Sequence, residues 1–343
     1  MTDKKFILVT GGAGYIGSHT VVELHRNGFV PVIVDDFRNS SRKVLKGIEN
    51  LIGVKPIIFD IDICNEEALN DIFKQYNFEG VIHFAANKAV GESVSNPLKY
   101  YRNNVIGLVN CLELMQMHSV NCFLFSSSCT VYGQPENDIM VSENSPFIKA
   151  NSPYGATKQI GERIIEDVYL STKKSRFLNL RYFNPIGSHS SCEIGEFPIG
   201  TPDNLIPFVT QTAIGKRDSL TVFGNDYNTP DGTCIRDYIH VVDLANAHVK
   251  GLSWLLQQTE GAHESVNIGT GKGTSVKEII DIFEKESGLS LNWRYGERRP
   301  GDVEQIFANN QKANLLLNWK PELSINQAIS DAWNWEKKLK SEE

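Results

Sequence analysis

Residues 6–10 form a short apolar run, FILVT, and the next eight residues, GGAGYIGS, place Gly11, Gly14 and Gly17 between that run and a helix-like stretch. Glycine there allows a tight turn, lets backbone approach a pyrophosphate, and permits close packing of a helix whose free N–H groups face the anion. A glycine pattern standing alone also fits an ordinary strand-to-helix turn. Here the second apolar run ends in Asp35, eighteen residues after Gly17, where a dinucleotide fold sets an acid on the adenosine ribose. The two features together predict a dinucleotide-binding βαβ unit. A carboxylate at 35 accepts from a free 2′-hydroxyl and repels a 2′-phosphate, which favours NAD over NADP. Arg38 and Arg42 could hold a phosphate, but two arginines in a polar loop read as solvated surface. Asp62 and Ile63 follow the third strand, at the place of an adenine clasp or of a plain turn aspartate.

Further apolar runs at 30–34, 56–59, 81–85, 122–127 and 177–182 alternate with helical stretches, which predicts an α/β fold with a Rossmann-type, doubly wound parallel sheet. From Leu98, begun by Asn96 and Pro97, the positions Tyr101, Val105, Leu108, Leu112 and Met115 make one stripe of a long helix. A second helix is expected over 152–169, with Ile160, Ile164 and Val168 on one face. Residues 184–231 are rich in Gly, Pro, Asn and Asp and form a loop-built, ligand-shaped region apart from a helix near 205–214. The reading is therefore a nucleotide domain over 1–185, rejoined by 237–258, and a smaller C-terminal α/β lobe from 186–236 and 259–343. A length of 343 residues fits two such lobes.

With 41% hydrophobic and 22% charged residues, the chain is not disordered or scaffold-like. Its net charge of −7, with no basic block, gives no footprint for nucleic acid or a membrane surface. The six cysteines lack any CxxC pair, and the eight histidines show no ligand spacing, so no metal and no disulfide framework is signalled. His83 and His240 sit in apolar runs as hydrogen-bonded core residues. The pattern suits a cytoplasmic protein, and nothing near residue 1 resembles an export signal.

Chemistry is signalled further on. Tyr154 and Lys158 stand i, i+4 apart, on one helix face. A phenol is a base near neutrality only if positive charge lowers its pKa, and Lys158 together with a nicotinium ring would supply that charge. Ser126, Ser127 and Ser128 end the preceding strand, where a serine hydroxyl can bridge a substrate oxygen and the tyrosine.

The segments TGGAGYIGSH, FAANKAVGESV, SSSCTVYG, SPYGATK, LRYFNPIG, PDNLIPF, FGNDYNTPDGT and RDYIHVVDLA closely resemble the UDP-glucose (UDP-galactose) 4-epimerase family of extended short-chain dehydrogenases/reductases. The resemblance runs from the first strand to the last helix. It implies that related sugar-nucleotide dehydratases carry an acid pair after the position of Ser128; here Cys129 and Thr130 stand there, which leaves hydride abstraction and return. By the same resemblance Tyr154 takes the proton of the sugar 4-hydroxyl, Ser128 holds the oxygen, Lys158 binds the nicotinamide ribose, and a 4-keto sugar turns over before the hydride returns. Gly11, Gly14, Tyr15, Ile16, Gly17, Asp35, Asn39, Ser40, Asp62, Ile63, Phe84, Ala85, Lys88, Asn103, Tyr154, Lys158 and Tyr182 would hold NAD. Ser128, Tyr154, Asn184, Asn204, Leu205, Phe223, Arg236, Arg299, Asp302 and Ile306 would hold the UDP-sugar, the arginines suiting a diphosphate. Ile306 stands where a tyrosine closes the pocket of strict hexose epimerases, so a UDP-N-acetylhexosamine becomes a poorer second substrate. The resemblance also implies a homodimer formed through the helices after 97 and 152.

Overall fold

The computed structural model describes residues 4–133, 140–299 and 302–342. Seven strands form one sheet in the order Ala262–Ile268, Arg176–Tyr182, Cys122–Ser128, Phe78–His83, Lys5–Thr10, Phe29–Val34 and Ile57–Phe59. Every neighbouring pair is parallel. In chain order this is 3-2-1-4-5-6 with a seventh strand added, so the order reverses between Lys5–Thr10 and Phe78–His83. A doubly wound sheet binds its ligand outside the strand ends at that reversal.

The strand residues are apolar nearly throughout because helices cover both faces. Ile7 and Val9 join one core cluster, with Val21, Leu24, Leu244, Leu252 and Leu255. Leu8 points the other way, into a cluster with Leu69, Leu108, Leu112, Phe123, Phe125 and Ile165. Period-two alternation thus feeds two helical layers from a single strand. The second lobe has its own core, where Ile206, Val209, Leu220 and Val222 meet Ile279, Phe283 and Ile329.

Three sequence expectations change here. The stripe after Leu98 is not one regular helix: Pro97–Tyr101 runs into a π-helical turn, Arg102–Ile106, before Gly107–Met117. The wider turn rotates the face, so Leu108, Leu112 and Met115 are buried while Leu98 is 79% exposed. In the helix Pro153–Thr172, Gly155, Thr157, Lys158, Gly161, Glu162 and Ile165 are buried and Ile164 and Val168 pack partly buried against the same core, whereas Ile160 is exposed. The return to the large sheet also reaches past 258, because Ala262–Ile268 pairs with Arg176–Tyr182. That strand reads AHESVNI, and its polar first half hides it from a search for apolar runs.

Candidate active site

A cavity of about 970 Å³ opens at the strand reversal, lined at one end by the glycine turn and at the other by the start of helix Pro153–Thr172. The turn is built for close approach. Gly11 has φ +69°, and a Cβ there would stand 2.7 Å from the Ala85 nitrogen. A Cβ on Gly17 would collide with the Gly11 carbonyl oxygen. Helix Tyr15–Arg26 begins after Gly14 with no side-chain cap and no acid in its first turn, so its leading N–H groups remain available to an anion.

Asp35 lies in the same wall. Its carboxylate accepts from Ala13 N at 3.0 Å, Phe37 N at 3.0 Å and Ser40 Oγ at 2.7 Å. Burial pushes its pKa up, and those three bonds favour the charged form. A carboxylate has about four lone-pair sites, so one remains for a ribose hydroxyl. The cradle that a Cβ would fill and this acid together fit an adenosine diphosphate with a free 2′-hydroxyl. Arg38 is not merely solvated: it lines the cavity, pairs with Asp36 at 2.7 Å and with Asp62, and donates to Asn103 Oδ1 at 3.0 Å. With two carboxylates already on its guanidinium, it is poorly placed to select a 2′-phosphate. Arg42 stays on the surface, paired with Asp60 and stacked over Phe37.

At the far end, strand Cys122–Ser128 carries the serines to the cavity and a short 3₁₀ turn, Cys129–Tyr132, follows. Ser128 Oγ accepts from Thr130 N at 3.2 Å, and Ser128 stands close enough to the Tyr154 phenol to draw its pKa down. Ser152 Oγ caps the helix by accepting from Gly155 N at 3.2 Å, and Pro153 starts it. That cap fixes where Tyr154 and Lys158 face. Lys158 Nζ donates to Ser126 O at 2.6 Å and lies 5.8 Å from the Tyr154 ring centroid. Tyr182 shares a short hydrogen bond with Ser126 Oγ, next to the same group.

Burial is the largest influence on the titration of Tyr154 and of Lys158. Burial pushes the Tyr154 phenol up to about 12, with Ser128 drawing it down. Burial also pulls Lys158 down to about 7, with the Glu162 carboxylate acting against the fall. A lysine of folded pKa about 7 and ordinary value 10.5 leaves the unfolded chain binding the extra proton between those limits. Stability therefore rises with pH across that window, and below pH 7 the folded state bears the buried charge. Lys158→Met should raise Tm at pH 6 by several degrees, with the gain shrinking as pH rises toward 10. A Tm unchanged or lowered at pH 6 would contradict this burial.

Of the residues expected at the site, the cavity gathers Gly11, Gly14, Tyr15, Ile16, Gly17, Asp35, Asn39, Ser40, Ile63, Phe84, Ala85, Lys88, Asn103, Ser128, Tyr154, Lys158, Tyr182, Asn184 and Asn204. Asp62 is not in its lining; that carboxylate is committed to Arg38 and to Cys64 N at 2.8 Å. Leu205 opens helix Leu205–Ala213 behind Asn204. Phe223, Arg236, Arg299 and Asp302 also lie outside the lining. Arg299 stacks over Phe223 at 4.6 Å, and Arg236 faces Asp302 at 3.8 Å. Ile306 is a correction of another kind. It pairs with Arg236 in a four-stranded sheet and is buried among Val131, Tyr132, Phe183 and Ala308, with Cys129 packed against that cluster. Cys129 and Phe183 line the cavity, so Ile306 stands one layer behind its surface.

The sequence reading missed Glu162 and Arg181, a buried pair at 2.6 Å that also holds Ser127. Glu162 lies i+4 from Lys158, a spacing that could have flagged it. Glu193, Glu196, Trp335 and Lys338 line the cavity from distant parts of the chain, and no local pattern announces them.

The fold and site define an NAD-binding short-chain dehydrogenase/reductase. The family model described as GDP-mannose 4,6 dehydratase matches residues 8–332, and the chain belongs to that family. Within it, the chain is a member of the UDP-glucose 4-epimerases. It is 48% identical to UDP-glucose 4-epimerase of Dictyostelium discoideum over 96% of this chain and 95% of that one. It is 50% identical to the bifunctional protein GAL10 of Pachysolen tannophilus over 96% of this chain, and spans only 48% of that longer protein. The crystal structure of UDP-glucose 4-epimerase from Bifidobacterium longum in complex with NAD+ and UDP superposes with a TM-score of 0.94 at 41% identity, covering 97% of this chain and 98% of that one.

Proposed function

We propose that Ser128, Tyr154 and Lys158 handle the proton of the sugar 4-hydroxyl in a reaction that ends where it began in redox state. The chain is an NAD-dependent UDP-glucose 4-epimerase, interconverting UDP-galactose and UDP-glucose. The observation that carries the residue assignment is the meeting of Ser128, Tyr154 and Lys158 in the same cavity as the glycine turn and Asp35. NAD, when bound, supplies hydride acceptance and return at C4 and, in its oxidised form, a positive charge toward the phenol. Tyr154 accepts the 4-hydroxyl proton and later gives it back. Ser128 holds the sugar oxygen on the phenol's side, fixing the proton's path. Lys158, tied to the Ser126 carbonyl, keeps its Nζ at a fixed place beside the tyrosine. Gly11, Gly14 and Gly17 admit the pyrophosphate, and Asp35 holds the ribose.

A dehydration would need an acid–base pair beyond Ser128. Cys129 cannot provide it, since burial pushes its thiol up to about 11 and keeps it protonated. Asn184 and Asn204 in the cavity, with Arg236, Arg299 and Asp302 as a second grouping, are the residues to hold UDP. Apart from Asn184, which follows strand Arg176–Tyr182, they come from the lobe of 186–236 and the C-terminal region. Binding energy from this remote part leaves the sugar free to turn. Purified protein given UDP-galactose and no added cofactor should form UDP-glucose without net NADH absorbance. A folded, NAD-loaded sample that forms no UDP-glucose would refute the assignment.

Val94, Leu98, Ile106, Ile160 and Leu170 are exposed apolar residues on the helices that follow 89 and 152, and they support a homodimer formed there. Light scattering at micromolar concentration should give twice the chain mass; a monomer mass would refute it. Among the described residues no helix is long and apolar enough to cross a membrane, in keeping with a cytoplasmic place of action. For the sugar pocket, plain hexoses should be preferred over UDP-N-acetylglucosamine. In Ile306→Tyr the added ring must push Cys129 or Phe183 toward the cavity, so the N-acetyl to plain ratio of kcat/KM should fall by about tenfold. An unchanged ratio would show that this position does not set the width.

A further inference from the structure

Glu196 is a carboxylate in the wall of a cavity that takes two anionic diphosphates, which calls for a reason beyond ligand contact. Its Oε1 accepts from Asn204 Nδ2 at 2.6 Å and pairs with Lys88 Nζ at 3.3 Å. Lys88 belongs to the cofactor half of the site and Asn204 to the UDP half, so one oxygen joins both. The backbone carrying Glu196 is held firmly. Trp335 Nε1 donates to Glu196 O at 2.8 Å, and the Trp335 ring lies so close to Gly195 that a Cβ there would stand 2.6 Å from it. Two residues earlier, Glu193 pairs with Lys338 at 2.8 Å and accepts from Asn50 Nδ2 at 2.6 Å, while Ile194 is fully buried in the large-sheet core. The segment is thus pinned to the nucleotide half and to the final helix at once.

Resting on the epimerase reading above, we propose that Glu196 is a positioning residue that orients Lys88 toward the cofactor and Asn204 toward the UDP moiety. A long lysine side chain loses rotamer freedom when it binds an anion, and a fixed acceptor reduces that loss in advance. A carboxylate that acted on the ligands directly would instead repel them. The two roles predict opposite signs. Glu196→Met keeps the volume and removes the acceptor, and Glu196→Gln keeps an acceptor oxygen without charge. Glu196→Met should raise KM for UDP-galactose and speed NAD release about tenfold each, with kcat within threefold of the parent. Glu196→Gln should restore both to within about threefold. Tighter binding in either variant, or a loss of kcat with KM and NAD release unchanged, would overturn the proposal. If the Met variant does not fold, Glu196→Ala gives the same comparison. NAD release is measured without turnover, and the parent's own conversion of UDP-galactose tests the underlying reading separately.

Discussion

Replacing Tyr154 by phenylalanine should leave the fold and bound NAD in place and lower kcat about a thousandfold, within the usual range for loss of a positioned proton acceptor. Only the hydroxyl is removed; Lys158 keeps its bond to Ser126 O and Ser128 keeps its bond from Thr130 N. KM should change little, because the residues proposed to hold UDP are other than Tyr154. Loss of bound NAD together with activity would show that Tyr154 serves the fold or the cofactor instead. Such a result would remove the proton-handling role.

Gly17→Ala should abolish cofactor retention. The new methyl would strike the Gly11 carbonyl oxygen and stand 2.8 Å from Gly12 Cα, with backbone on every near side. Neither neighbour is a flexible side chain, so helix Tyr15–Arg26 must move away from the turn it has to meet. Overpacking of this kind costs about 1–3 kcal/mol, and here it falls on the segment proposed to meet the pyrophosphate with its N–H groups. After gel filtration the variant should hold less than about a tenth of the parent's NAD. Gly91→Ala is the control, since a methyl there meets nothing within 4 Å. Equal NAD content in Gly17→Ala and parent would mean that close packing at this turn is not what admits the cofactor.

How much of this was legible in the sequence follows from how local each signal is. The glycine turn, Asp35 and the Tyr154–Lys158 pair each lie within one strand–helix unit, and they meet because a parallel sheet brings all its strand ends to one edge. The helix expected over 152–169 runs Pro153–Thr172, with Ser152 its cap and not its first residue. The π turn at Arg102–Ile106 was not, because one extra residue in a helical turn leaves composition unchanged and only shifts the face. Charge alone points to a lowered phenol at Tyr154, whereas burial is the largest influence on Tyr154 and on Lys158. The resemblance places Ile306 at the pocket surface. Its side chain instead falls into the cluster behind Cys129 and Phe183, which depends on pairing with Arg236 across the lobe. Glu196 and Trp335 could not be found at all, for each acts only through residues far away in sequence.

The C4 hydrogen of the sugar is the most direct witness to a reaction that removes and returns it within one site. UDP-galactose carrying deuterium at C4 should be converted, in ordinary water and without added cofactor, to UDP-glucose that keeps the label at C4. Label washed out into solvent, or found at another carbon, would contradict a C4 hydride held and returned inside this cavity.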